Sequence, residues 1–243
     1  MPTSHRGSRR MAPPQSGTAI RQAIRAVWPI CLGYIPIGLA FGVLAEKAGL
    51  RPVEIGLMSL LVFAGSSQFI AVSMIAGGAA ATAIILTTFV VNLRHLLMSS
   101  ALAVYLKNRS RRSLALFAYG ITDESFAVNL AKFNQGNWGA GRGLIVNQTA
   151  NGVWILSTVA GGYGGQFIPS GAFGIDYALN AMFVCLLIFQ LRGPVYAATA
   201  LLAGIAAVLF ALIIPGNGYI ILGAVLAATL GVAMQRRSRK DVT

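Results

Sequence analysis

Residues 79–106 read AAATAIILTTFVVNLRHLLMSSALAVYL, a continuous apolar run with a single charge, Arg94. A helix needs about 20 mostly apolar residues to cross the hydrocarbon of a bilayer. The run does not alternate polar and apolar positions, so it reads as a spanning helix and not as a barrel strand. Working outward, further apolar segments fall at 27–45, 55–76, 114–131, 144–163, 176–191, 195–214 and 218–234. Composition agrees. Of 243 residues, 19 are Lys or Arg and 6 are Asp or Glu, where a soluble domain of this size carries about 60 charges. The net charge of +13 does not indicate nucleic acid, because the basic residues sit in tails and short turns. An ordinary soluble enzyme, a disordered chain and a nucleic-acid-binding module are excluded. The expected fold is all-α: a polytopic transmembrane helical bundle of seven to eight spans, some broken or re-entrant. The bundle is one transporter-like domain over 18–235. A disordered basic tail over 1–17 precedes it, and a basic tail over 236–243 follows.

Charge asymmetry suggests the orientation. Eight spans with the N-terminus inside put twelve Lys/Arg in cytoplasmic segments and six outside; fusing 55–76 and 79–106 into one span gives nine against nine. The rule that cytoplasmic loops are the basic ones favours eight. One conflict stands, since Lys107, Arg109, Arg111 and Arg112 then face out. A broken or re-entrant element within 55–106 would change that. Residues 18–26 are expected to form an amphipathic turn at the membrane surface. Pro29 and Pro36 predict a kink or a break in the first segment. They also interrupt what would otherwise look like a cleavable leader ending near Val43-Leu44-Ala45. Cys31 and Cys185 lie within apolar runs and read as small buried hydrophobes.

Ionisable residues within a membrane are costly and mark function by default. Arg94 and His95 lie mid-run beside Asn92. Asp123 and Glu124 lie mid-run in Tyr119-Gly120-Ile121-Thr122-Asp123-Glu124-Ser125-Phe126. Opposite charges at one depth should pair, and adjacent carboxylates point to different helix faces, so one of the two should meet Arg94. One reading is a substrate and proton site, with a carboxylate titrating and His95 relaying the proton. The other is a structural ion pair. Gly65, Ser66, Ser67 and Gln68 interrupt the second apolar run, where a helix can unwind and offer its N-terminus to a carboxylate; tight packing is the alternative. Asn147, Asn151 and Thr158 share one helix face, flanked by Gln148 and Trp154. Such a stripe lines a cavity or makes interhelical hydrogen bonds. Asp176, one turn before Asn180, reads as a cap. A pattern of Trp28, Gly33 and Gly38 is loosely repeated as Trp154, Gly161 and Gly165.

Enzyme signatures are missing. There is no phosphate loop, no metal-ligand spacing and no implied cofactor. An intramembrane enzyme using Asp123 and Asp176 is the alternative from a different class, but Phe173-Gly174-Ile175-Asp176 lacks the expected Gly-x-Gly-Asp element.

Four stretches resemble the AzlC family, the large subunits of branched-chain amino acid exporters. They are Pro36-Ile37-Gly38-Leu39-Ala40-Phe41-Gly42, Phe63-Ala64-Gly65-Ser66-Ser67-Gln68-Phe69, Asn92-Leu93-Arg94-His95-Leu96-Leu97-Met98-Ser99 and Thr122-Asp123-Glu124-Ser125-Phe126-Ala127. A looser likeness runs from Gly174 to Phe183, and the whole covers about 20–235. The resemblance implies a multi-pass bacterial inner-membrane protein working with a small AzlD-like subunit. It would export Val, Leu, Ile and sometimes Met at the expense of the proton gradient. Met98 departs from an aromatic found in many members, and Met11 is an alternative start. An importer or a channel for small zwitterions is the alternative within transport.

Overall fold

The computed structural model describes residues 16–107, 109–136, 138–168, 184, 187–188, 191, 193–213 and 218–240. The readings at His5, Asp176, Asn180 and Cys185 lie outside them. The described residues are helical, without strands.

The first helix, α1 (Ser16–Lys47), runs unbroken through Pro29 and Pro36. Of the kink or break expected there, the break is absent, and the separate turn over 18–26 is simply the first part of the helix. Both prolines are exposed, so each removes one helical hydrogen bond without intruding on a neighbour. Its buried positions, Ala23, Val27, Ile30, Tyr34, Phe41 and Ala45, recur every three to four residues, or multiples of that. They form one stripe of a 3.6-residue helix. The opposite face stays exposed and apolar through Ile24, Trp28, Leu32 and Ile35.

That stripe packs on α7 (Ala140–Gly165). Arg142 bonds Gln22, Tyr34 meets Trp154, Gly38 meets Ser157, and Gly42 meets Thr158 and Gly162. Both numbers rise together, so the two helices are parallel. Gly38 and Gly42 on one side and Gly161 and Gly165 on the other are each four apart, which lets the backbones approach closely. A Cβ on Gly42 would lie 2.1 Å from the Thr158 carbonyl oxygen.

Between them stand one long helix, α4 (Ala81–Ala103), and two pairs of short ones. The pairs are α2 (Pro52–Leu61) with α3 (Gly65–Ala76), and α5 (Arg111–Tyr119) with α6 (Asp123–Asn134). Their directions follow from their contacts. Pro52 and Ile55 lie against Gly162, and Ser59 bonds Thr158, so α2 descends along α7 from its C-terminal end. At the other end of the molecule, Leu102 and Leu106 cluster with Trp138, Ala140 and Leu144 at the start of α7, and Tyr105 donates to Asn134 Oδ1 at 2.6 Å. With 23 residues, α4 is about 35 Å long, so it begins where α2 began. The joining residues 77–80 are few, so α3 must return to that same end. The α2–α3 pair is a hairpin, not a straight span.

The second pair mirrors it. Leu116 and Phe117 carbonyls accept from Gln148 and Asn147, and Asn151 donates to the Tyr119 hydroxyl, so α5 rises alongside α7. After residues 120–122 the chain reverses. Asn129 bonds Asn147 and Trp138, and Asn134 reaches Tyr105 near the start of α7. The structure departs from the expected single spans over 55–76 and 114–131: each is a helical hairpin, and the two open toward opposite ends of the molecule. The final helices, α8 (Pro194–Ile213) and α9 (Gly218–Lys240), pack on one another, and α9 touches α4. Among the described residues, three helices are long and apolar enough to cross a membrane by length and composition: Gly17–Lys47, Ala81–Ala103 and Pro194–Ile213.

Candidate functional site

Both hairpins turn at mid-depth. The first turns through Val62, Phe63 and Ala64, with Phe63 at φ 38° in the left-handed region. That conformation is costly for a bulky residue. It is held by burial of Phe63 and by its ring contact with Tyr119. Behind the turn, Gln68 is fully buried. Its Oε1 accepts from Trp154 Nε1 at 3.0 Å and from the Ala64 amide at 3.3 Å, and its Nε2 donates to Ser59 Oγ at 3.1 Å. Ser59 in turn lies 2.8 Å from Thr158 Oγ1. This chain of bonds ties the turn to α7. The second turn is capped by Thr122, whose hydroxyl accepts from the Ser125 amide while Ser125 Oγ accepts from the Thr122 amide. Asp123 and Glu124 thus occupy the first turn of α6, where the helix dipole favours carboxylates.

The tips meet at Arg94. Its Nη1 lies 2.6 Å from Asp123 Oδ2 at the start of α6, and its Nη2 donates to Ser66 Oγ at 2.5 Å at the start of α3. One guanidinium from α4 therefore bridges two half-helix N-termini belonging to opposite hairpins. Its Nε is buried without a partner among the described residues, as is Asn92 Oδ1. Glu124 faces elsewhere: Tyr34 Oη of α1 lies 2.7 Å from Glu124 Oε2 and 2.8 Å from Thr122 Oγ1. With one proton to give, the phenol donates to the carboxylate and accepts from the threonine. Tyr34 and Trp154 meet edge-on at 5.3 Å, and Phe41 stacks on Trp154 at 6.0 Å and meets Phe69 edge-on at 5.0 Å. An aromatic group therefore packs beneath the polar tips, and Gly65 sits against the Trp154 ring.

The candidates separate accordingly. Arg94, Asp123 and Ser66 are in direct contact, with Gly65 and Glu124 adjacent to them in sequence. His95 Nδ1 lies 3.2 Å from the Asn92 carbonyl oxygen and makes no hydrogen bond to either carboxylate, so the expected relay is not assembled in this conformation. Ser67 and Gln68 are buried behind the first turn, and Ser67 Oγ donates to the Ala64 carbonyl at 3.0 Å. The stripe of Asn147, Asn151 and Thr158 is engaged with Asn129, Phe117, Tyr119 and Ser59. Of its two sequence readings, interhelical bonding describes the geometry: the stripe fastens both hairpins to α7. Tyr34 was missed. Its signal was being the one hydroxyl side chain within 27–45. The Asp123 of the intramembrane-enzyme alternative is held by Arg94, and its Asp176 lies outside the described residues.

Comparison with known proteins gives consistent relatives. The profile of the AzlC protein family matches residues 29–168. The inner membrane protein YgaZ of Escherichia coli is 31% identical over 189 residues, 74% of this chain and 77% of that protein. The branched-chain amino acid transport protein AzlC of Bacillus subtilis is 27% identical over 219 residues, 90% of this chain and 85% of the relative. A membrane protein of Archaeoglobus fulgidus is 32% identical over 176 residues, 71% of this chain and 76% of the relative. No solved structure matches the chain significantly.

Proposed function

The chain is a membrane protein of the AzlC family, and from that premise we propose that it is the large subunit of a secondary transporter exporting branched-chain amino acids, coupled to protons and completed by a small AzlD-like subunit. The observation that carries the reading is Arg94 bridging the two hairpin tips. A zwitterion needs donors for its carboxylate, an acceptor for its ammonium and an apolar wall. The Arg94 guanidinium and the start of α3, which has no side-chain cap, are the donors. Asp123 and Glu124 are the acceptors. A carboxylate paired with the substrate ammonium has no place for a proton, and protonation removes the charge that the ammonium needs. Proton and substrate therefore compete for one site, as exchange in opposite directions requires.

The hairpins supply the two gates. One opens toward the end where α1 finishes, the other toward the end where α1 begins. Basic residues gather at the latter: Arg21 and Arg25, then Lys107, Arg109, Arg111 and Arg112 between α4 and α5, then Lys132 and Arg142. Among the described residues, only Lys47 and Arg51 lie at the former. The positive-inside rule then makes the α1 start cytoplasmic, in a multi-pass inner-membrane protein. Among the described residues, α1, α4, α7, α8 and α9 are the helices that would cross singly. Exposed apolar side chains along α4, such as Phe89, Leu93, Leu96 and Leu97, suit lipid or the small subunit.

The test loads cells with a valine-containing dipeptide and follows internal and external valine. Cells carry this chain with its neighbouring small membrane protein, each alone, or neither. Faster efflux with the pair alone, collapsing with a protonophore, is the expected result. Efflux that ignores the pH gradient would point to a channel, and no change for Val, Leu, Ile or Met would remove the substrate assignment.

A further inference from the structure

A cleft of about 400 Å³ lies where the start of α1, the end of α6 and the start of α7 converge, lined by Gln22, Arg25, Ala26, Lys132, Gln135 and Trp138. It is remote from the hairpin tips, since α6 has by then returned to the end where α7 begins. Two features mark it. First, it is basic without internal compensation. Arg25 and Lys132 share the cleft with no acid on its wall. The described carboxylates are engaged elsewhere: Glu46 with Lys47, Glu54 with Arg51, Asp123 with Arg94 and Glu124 with Tyr34. Second, its rim is built. Arg142 lies over the Trp138 ring at 5.2 Å and donates to Gln22 Oε1 at 2.6 Å, while Trp138 Nε1 donates to Asn129 Oδ1 at 3.0 Å. A tryptophan fixed between a polar network and an apolar cluster is the arrangement found at membrane–water boundaries.

The surroundings narrow the ligand. Two cations without an ion-pair partner among the described residues, flanked by the amides of Gln22 and Gln135, suit a phosphate oxyanion. Trp28 and Leu32 follow Arg25 by three and seven residues on α1, so they continue its helix face away from the cleft. They are 58% and 52% exposed, which offers a track for an acyl chain directly beyond a headgroup. We propose that this cleft binds the phosphate headgroup of an anionic phospholipid, with the acyl chain lying along Trp28 and Leu32. The lipid then clasps α1 to the α6–α7 connection at the base of the second hairpin. Basic pockets between membrane helices are suited to such headgroups.

The full chain, purified in a neutral detergent, is titrated with phosphatidylglycerol, with phosphatidylcholine and with inorganic phosphate, and its thermal unfolding is followed. Phosphatidylglycerol should raise the midpoint by several degrees, and the other two should not. In the Arg25→Gln/Lys132→Gln chain, the concentration needed for half the effect should rise about tenfold or more, as loss of two cations predicts. A Lys107→Gln/Arg109→Gln chain should respond like the parent. Equal protection by inorganic phosphate would replace the lipid with a free anion, and undiminished protection in the first variant would overturn the site. Photoactivatable phosphatidylglycerol on the unaltered chain provides a readout free of folding effects. Label is expected within 22–32 and 132–138, and label confined to other helices would equally overturn the assignment.

Discussion

Arg94 holds one oxygen from each of two helices, and it can do so because a guanidinium is a planar fork with donors at fixed angles. Lysine supplies the charge at a single point, so it cannot hold Asp123 and Ser66 in the same way. Loss of a hydrogen bond to a charged group costs about 1.5–3 kcal/mol, which is about tenfold or more in an equilibrium. Arg94→Lys should therefore yield a folded protein whose valine efflux falls at least about tenfold, and Arg94→Gln should abolish efflux. Parent-level efflux in Arg94→Lys, measured on equal amounts of protein, would exclude the bridging role. The carboxylates divide in the same way. Asp123→Asn and Glu124→Gln should each reduce transport driven by a pH gradient, at least one of them severely. Tyr34 is the hydroxyl that holds Glu124, so Tyr34→Phe should shift the pH profile in the manner of Glu124→Gln. Unaltered pH dependence in both carboxylate variants would remove them from coupling.

At the scale of elements, the parallel contact of α1 with α7 is set by backbone meeting backbone. A Cβ on Gly161 would lie 2.2 Å from the Leu39 carbonyl oxygen, and one on Gly42 would lie 2.1 Å from that of Thr158. Neither oxygen belongs to a side chain that can rotate away, so the helices must separate. Gly42→Ala and Gly161→Ala should each lower the unfolding temperature in detergent, at a cost of about 1–3 kcal/mol or more. Gly33→Ala meets nothing within 4 Å and should be neutral or stabilising by up to about 1 kcal/mol, the helix preference of Ala over Gly. Equal behaviour of all three would contradict the crossing. The tendency of the chain to open near Gly65 to Gln68 was readable, whereas the buried stripe of α1 was not, because its exposed face is apolar as well. The reversals were not readable. Hydropathy has no sign for direction: ten residues down and twelve back average like twenty-two straight across. Thr122-Asp123-Glu124-Ser125 did carry a helix-start signature, a cap residue followed by acids, inside what looked like one span. The stripe of Asn147, Asn151 and Thr158 was visible as a face, but periodicity identifies a face without saying what lies against it. That Arg94 would meet one of the two adjacent carboxylates followed from cost alone, since opposite charges at one apolar depth have few other partners; that it is Asp123 and not Glu124 did not.

For the molecule as a whole, the parallel run of α1 and α7 limits the path between them. Helices pointing the same way require an odd number of crossings in between. One crossing, by α4 with a hairpin on either side of it, satisfies this; three straight crossings would too. Charge separates the two. Three crossings place Lys107, Arg109, Arg111 and Arg112 outside, against the positive-inside rule. The hairpins bring all four to the end that already carries Arg21 and Arg25, so the conflict left by the sequence disappears. The two paths make opposite predictions at two positions. With Cys31 and Cys185 replaced by alanine, Ala80→Cys between α3 and α4 should react with a membrane-impermeant maleimide on intact cells. Ser110→Cys before α5 should react only after the membrane is opened. Straight crossings reverse both results. The consequence reaches the mechanism, because each hairpin touches one aqueous side and both tips hold the same arginine. On the proposed transport reading, withdrawal of either tip from Arg94 would then expose a single central site to one side at a time. If labelling instead shows straight crossings, the two tips cannot serve as opposing gates, and access to Arg94 must come from tilting of whole helices.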